Sequence, residues 1–356
     1  MLKTPSEGAT SHPHAETLTT LGWSDFFARQ LDAASDLTPA RVIIQQRGRL
    51  TLMSPDGPAE IPSPPDSDLC VGDWVLLRHD PARGVCLERT LERRTSLKRR
   101  ASGTRDRPQV IAANLDRVFL VTSMNADFSP RRLERYLAAA LAGGVEPVIV
   151  LTKADLRLAE ARRFTAEAQA AAPEVPVVVT SAMLEMGLDE LAAFLAPGIT
   201  VGFVGSSGAG KSSLVNALIG EEAMVVHALR ERDETGQHTT THRELLTLPG
   251  GRGLLVDTPG MREFQPWSGD ALGEVFSDLE DMAGRCRYRD CQHGQEPGCA
   301  IQEAIEAGEL DPGRLKNWRK MEREVAFLEG RKADWELRLE RKRFAKKIRN
   351  SQKNRP

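Results

Sequence analysis

The chain has 356 residues, 28% of them charged and 40% apolar, a balance that suits a soluble globular protein of two or three domains. A formal net charge of −2 excludes a polycation, so any nucleic-acid footprint must be local. No run of about 18 apolar residues occurs and no basic stretch followed by an apolar core opens the chain, so neither a membrane span nor a signal peptide is expected.

In chain order, residues 1–37 read as a flexible leader. Residues 1–20 mix Pro, Ser, Thr, Gly and His without periodicity and are expected to be disordered, and Trp23 to Leu31 has the composition of a short helix. From about 38 to 108, short apolar runs alternate with turns: Arg41-Val42-Ile43-Ile44, then Gly48 to Leu52, then a Pro-rich loop, then Val71 to Leu77. That pattern predicts a small β-barrel. Its last part is basic, with Arg89, Arg93, Arg94, Lys98, Arg99, Arg100, Arg105 and Arg107.

Residues 109–267 change character. The runs Val118–Val121, Val148–Leu151, Val177–Val179, Thr200–Val204 and Leu254–Val256 alternate with helical stretches such as Arg131–Ala142 and Leu156–Ala171. Buried strands alternating with helices predict a parallel sheet covered on both faces. Residues 268–330 carry Cys286, Cys291, His293 and Cys299. Crowded cysteines beside a histidine suggest a metal in a reducing cytosol rather than disulfides. Three thiolates and one imidazole suit tetrahedral, structural Zn²⁺ with no open position. Asp311-Pro312 then opens a helix whose apolar face is Leu315, Trp318, Met321, Val325 and Leu328. Residues 331–356 form a basic tail with Arg341, Lys342, Arg343, Lys346, Lys347 and Arg349. No coiled-coil seam is evident, and a monomer is expected.

Gly205-Ser206-Ser207-Gly208-Ala209-Gly210-Lys211-Ser212-Ser213 matches the phosphate-loop pattern, with a predicted strand before it and a helix after it. Glycines let the backbone wrap so that N–H groups meet phosphate oxygens, and the helix adds its positive end. Lys211 can reach the β- and γ-phosphates, and Ser212 can hold Mg²⁺. Such a loop serves ATP and GTP alike, so the base needs its own reader. Thr152-Lys153-Ala154-Asp155 follows a strand at its C-terminal edge, where open α/β sheets bind ligands. An aspartate there can accept from guanine N1–H and N2–H₂. Adenine would leave it unpaired, which disfavours an ATPase. Taken alone, the tetrapeptide reads equally well as a helix N-cap. Ser181-Ala182 ends another strand, where a backbone N–H can meet the guanine oxygen. Asp257-Thr258-Pro259-Gly260 has the D-x-x-G form, with Asp257 toward Mg²⁺ through water and the Gly260 N–H toward the γ-phosphate.

The order is unusual. The base reader and Ser-Ala precede the phosphate loop, and D-x-x-G comes last. A chain cut and rejoined elsewhere can still build the same sheet.

These residues, with Gly236-Gln237-His238-Thr239-Thr240-Thr241 and the spacing Cys286-x4-Cys291-x-His293-x5-Cys299, resemble the circularly permuted GTPases of the ribosome small-subunit-dependent GTPase A family over about residues 38–330. The resemblance implies an N-terminal OB barrel (38–108), a permuted P-loop GTPase (109–267) and a small α-rich zinc domain (268–330). It implies a cytoplasmic enzyme that binds the small ribosomal subunit and its rRNA, assists late maturation, and hydrolyses GTP to GDP under stimulation by the subunit. Met261 stands where Ras-type enzymes place a water-orienting glutamine. His238 is the candidate in its stead, a neutral imidazole able to accept from water, and the resemblance points to the same residue. Thr240 is the candidate Mg²⁺ hydroxyl, with Thr239 the alternative. Met261 also keeps open a second reading, an RNA-binding scaffold whose guanine nucleotide is largely structural. The basic runs flanking the GTPase favour RNA phosphate contacts that position rather than read sequence.

Overall fold

The computed structural model describes residues 13–32, 35–46, 48–65, 67–82, 84–100, 108–220, 243–257 and 271–330. The first segment departs from expectation: Pro13–Thr20 is a helix (α1), followed by the short helix α2 (Asp25–Ala28). The sequence reading missed α1 because so short a helix has little stability of its own and is held by packing. Leu18, Leu21, Trp23 and Phe27 of this segment cluster on buried Trp74, with the Trp23 and Trp74 rings edge to face at 4.8 Å.

Five antiparallel strands follow: β1 (Thr38–Gln46), β2 (Arg49–Ser54), β3 (Gly57–Pro62), β4 (Trp74–Asp80) and β5 (Gly84–Thr90). They run β3-β2-β1-β4-β5, and β3 approaches β5, so the sheet curls toward closure. A register shift between Val42 and Ile44 bends β1 so that it serves both neighbours. Alternate residues such as Leu50, Leu52, Val75 and Leu77 fill the interior. A separate ladder of β6 (Ser96–Arg100) and β7 (Pro108–Ala113) comes next.

The α/β part comprises β8 (Arg117–Ser123), α3 (Pro130–Ala142), β9 (Glu146–Thr152), α4 (Ala161–Ala171), β10 (Val177–Val179), α5 (Leu188–Ala192), β11 (Thr200–Gly205), α6 (Lys211–Ile219), β12 (Arg243–Thr247) and β13 (Leu254–Asp257). Strands β10-β9-β8-β11-β13 are parallel, and β12 closes the edge antiparallel. Side chains alternate between two cores. Phe119, Val121, Val148 and Val150 face the layer holding α6, whereas Leu120, Ile149 and Leu151 share a core with Leu137 of α3 and Phe164 of α4. The continuous helix expected over Leu156–Ala171 is not formed. Lys153 takes a left-handed conformation (φ 58°), two 3-10 turns follow, and α4 begins only at Ala161.

Strand β12 also pairs with β1, with Gln45 opposite Arg243, so barrel and α/β sheet share one ladder. Buried Arg41 ties the same seam, donating to the carbonyls of Leu21 and Asn114 and to Thr200 Oγ1 at 2.5–3.0 Å. The remaining helices are α7 (Leu272–Val275), α8 (Ser277–Ala283), α9 (Ala300–Glu306) and α10 (312–330). Leu315, Trp318, Met321 and Val325 of α10 are buried in the core shared with α3. No helix among the described residues is long and apolar enough to cross a membrane.

Candidate nucleotide and metal sites

The parallel strands bring Ser123, Thr152, Gly205 and Asp257 to one edge of the sheet, since each closes its strand at the C-terminal end. Strand β11 follows β10 in sequence yet lies beyond β8, so the strand order reverses at β8/β11. A crevice at such a reversal is where open α/β sheets hold ligands.

The phosphate-loop residues wrap this edge. Gly205 must be glycine because a Cβ would stand 2.3 Å from the Val121 carbonyl oxygen. Gly210 (φ 96°) turns the chain into α6 in a conformation that side chains rarely adopt. Ala209 is buried, whereas Ser207, Gly208, Ser212 and Ser213 are exposed. The Lys211 ammonium donates to the carbonyls of Gly205 (2.8 Å) and Ser206 (2.7 Å), folding back over the loop.

The candidate base-reading segment, Thr152–Asp155, meets this loop directly. Buried Thr152 donates its hydroxyl to the Ala209 carbonyl at 2.5 Å. Ala154 is buried, and its N–H bonds the Thr180 carbonyl. Ser181 Oγ donates to Asp155 Oδ1 at 2.6 Å. Asp155 sits in a 3-10 turn and carries no helix cap, since α4 starts later. Ser181 is buried, and Ala182, half-buried, follows it. Thus Thr152–Asp155, Ser181-Ala182 and Gly205–Ser213, far apart in the chain and in reversed order, form one contiguous surface.

Two residues that the motifs did not flag belong to it. Asp127, past the end of β8, accepts from Ser206 Oγ at 2.6 Å and from Arg132 at 2.8 Å. The Arg132 hydrogen bond holds the Asp127 carboxyl below its ordinary range, helped by Ser206 and by the charge of Lys153. The available signal was a polar Ser-Met-Asn-Ala-Asp stretch at the C-terminal edge of a predicted strand. His238, Thr239, Thr240, Thr258, Gly260 and Met261 lie outside the described residues. So does the tail from 331.

Cys286, Cys291, His293 and Cys299 converge, with one ligand atom from each within 4.8 Å of all the others. Tetrahedral zinc, with bonds of about 2.3 Å to sulfur and 2.0–2.1 Å to nitrogen, requires edges of about 3.8 Å between sulfurs and about 3.6 Å from sulfur to nitrogen. The observed spacings are 3.9 Å for Cys286 to Cys299 Sγ, and 3.5 and 3.7 Å from these sulfurs to His293 Nδ1. Burial, reinforced by the Arg319 cation, lowers the His293 pKa and favours the neutral ring that a metal needs. The cluster fits a tetrahedral metal ion.

The expected basic stripe is partly consumed by the fold. Arg93 pairs with Asp68 and with wholly buried Asp73, Arg94 pairs with Asp116, Arg89 donates to the Gln30 carbonyl, and Arg99 bonds Gln109. Lys98 is exposed. Arg105 and Arg107 lie outside the described residues.

Residues 90–267 match the family model described as RsgA GTPase. A protein of Opitutus terrae named small ribosomal subunit biogenesis GTPase RsgA is 43% identical over 93% of this chain and 95% of its own. One of the same name from Xylella fastidiosa strain M23 is 46% identical over 82% and 89%. Among solved structures, YjeQ from Thermotoga maritima superposes with a TM-score of 0.58 at 27% identity, covering 82% of this chain and 99% of that one. YloQ, titled a circularly permuted GTPase, shares the fold with a TM-score of 0.57 at 24% identity over 83% and 97%.

Proposed function

The chain belongs to the RsgA GTPase family, and from that premise we propose that it hydrolyses GTP to GDP on the small ribosomal subunit during late maturation, under stimulation by the subunit. The observation that carries the reading is the Thr152–Ala209 hydrogen bond, which sets a guanine-type reader against a phosphate loop. In this reading Asp155 accepts from the guanine N1–H and N2–H₂, with Lys153 along the ring and a backbone N–H of Ser181-Ala182 at the guanine oxygen. The loop N–H groups and the N-terminus of α6 receive the phosphates, and Lys211 turns from its own loop carbonyls to the β- and γ-oxygens. Ser212 and Thr240, with Asp257 through water, would hold Mg²⁺, which neutralises charge on the phosphates. The Gly260 N–H senses the γ-phosphate, and His238 accepts from the attacking water. Cys286, Cys291, His293 and Cys299 would hold one structural Zn²⁺. The partner is the small subunit and its rRNA, the working form a monomer, the compartment the cytoplasm.

Turnover of GTP with and without purified small subunits, at two salt concentrations, tests the proposal. Stimulation that weakens with salt is expected, because RNA phosphate contacts release counterions. In that assay His238→Ala should keep GTP affinity and lose stimulated turnover by about 10²–10⁴-fold; an unchanged stimulated kcat removes His238 from the mechanism. Met261 at the glutamine position favours one alternative, an RNA-binding scaffold with a structural nucleotide, and absence of any stimulation would select it.

A further inference from the structure

Asp127 lies in an exposed turn after β8, yet its carboxylate is held in place from several sides. Asn125 Oδ1 accepts from Ser123 Oγ and from the Asp127 N–H, both at 2.9 Å, which closes a tight turn after β8. Phe128, the next residue, is anchored edge to face on Phe164 at 5.0 Å. Ser129 caps α3 by accepting from the Arg132 N–H, and Arg132 returns its guanidinium to both the carbonyl and the carboxylate of Asp127. The carboxylate so fixed accepts a hydrogen bond from the hydroxyl of Ser206, the second residue of the phosphate loop.

An aspartate at the mouth of an anion-binding loop needs a reason to be there, since its charge opposes the phosphates. The Arg132 pair offsets that charge. What the carboxylate does for the loop follows from serine chemistry: a free Ser hydroxyl in a turn bonds the backbone N–H groups one or two residues on. In this loop those N–H groups are the ones that meet phosphate. By holding the hydroxyl on the outer side, Asp127 keeps it from competing for them and fixes the start of the loop, while Thr152 fixes its end at Ala209. We infer that Asp127, clamped by Arg132, is a positioning residue that pre-organises the phosphate loop for nucleotide through Ser206.

The inference rests on the nucleotide-binding reading above, and titration with a fluorescent GDP analogue tests both. Wild-type protein that does not bind the analogue overturns both together. With binding established, Asp127→Ala and Ser206→Ala should each weaken it by about tenfold, the size of one hydrogen bond to a charged group. The double variant should be no weaker than either single one, because both remove the same contact. In steady state the loss should fall on KM for GTP with kcat retained. Asp127→Asn keeps an acceptor oxygen in a side chain of the same size and should recover part of the affinity; Ser206→Ala serves if the Asp127 alanine variant does not fold. Melting temperature and bound metal should not change. Affinity within twofold of wild type for Asp127→Ala or Ser206→Ala, or single losses that simply add, would overturn the assignment.

Discussion

Thr152 opens the tetrapeptide proposed to read the base, and its hydroxyl bonds the Ala209 carbonyl inside the phosphate loop. It therefore joins two halves of the site. Thr152→Val preserves shape but leaves a buried carbonyl with one partner fewer, and should lower GDP affinity about tenfold, with little change at an unrelated surface. Asp155 carries a different load. In the proposed reading Asp155→Ala removes two charge-assisted hydrogen bonds to guanine, so GTP affinity should fall about 10²–10⁴-fold in competition titrations without a gain for ATP. A variant that keeps its preference for GTP over ATP would place base recognition elsewhere. Asp127 adds a pH argument. Its folded-state pKa is depressed, so its contribution is present above the ordinary aspartate value of about 3.9 and is lost as pH falls through the lower folded value. Nucleotide affinity should accordingly show no break from this group between about pH 5 and 8.

Helix α3 works in two directions. Its first turn sends Arg132 to Asp127 and thus toward the phosphate loop. Glu134, two residues on, is wholly buried against the C-terminal helices. It accepts from Arg314 at 2.9 Å and from Asn317 at 2.5 Å, with Arg131 as a third partner. Arg314 itself spans Asp278 of α8, the Val275 carbonyl of α7 and the Ala171 carbonyl of α4. Arg135 pairs with Glu324 of α10 at 2.5 Å. Glu134→Ala leaves the Arg314 cation buried with one anion fewer, and should cost about 3–5 kcal/mol of stability, read from the urea midpoint at constant slope. A loss under 1 kcal/mol would mean that the apolar contacts around Trp318 hold α10 without the ionic knot.

At the scale of the molecule, barrel, α/β sheet and metal-ligand region are sewn together. The β12–β1 ladder and Arg41 join the first two, and the Glu134–Arg314 knot joins the α/β part to the helices around the cysteines. Cys286, Cys291 and Cys299 pack with Ile301 and Trp318 in the core that also contains α3. With the proposed structural metal bound at these side chains, a chelator should lower the melting temperature and open α8 to α10 to hydrogen exchange first. A chelated protein with an unchanged melting curve would show that the four side chains are not a structural metal centre. The shared ladder has a consequence for dissection too, because a fragment beginning after β1 exposes β12 as an open edge prone to pairing.

Much of this was legible in the chain alone, for reasons of local chemistry. A phosphate loop must have glycines where the backbone approaches phosphate. A Cys₃His metal cluster draws on three cysteines and a histidine, which here lie within 14 residues of one another. A buried parallel strand must be a run of apolar residues. Each is written in a few adjacent positions and survives permutation of their order. What depends on partners distant in sequence was not legible. Helix α1 exists against Trp74, Arg93 and Arg94 are spent on Asp73 and Asp116 rather than left for RNA, and Asp127 and Arg132 matter only once β8 lies beside β11. The Arg93–Asp73, Arg94–Asp116 and Asp127–Ser206 contacts join residues that are 20, 22 and 79 positions apart in the chain. Only the folded backbone decides which of the many acids and arginines meet, because long-range pairing leaves no local pattern in the chain.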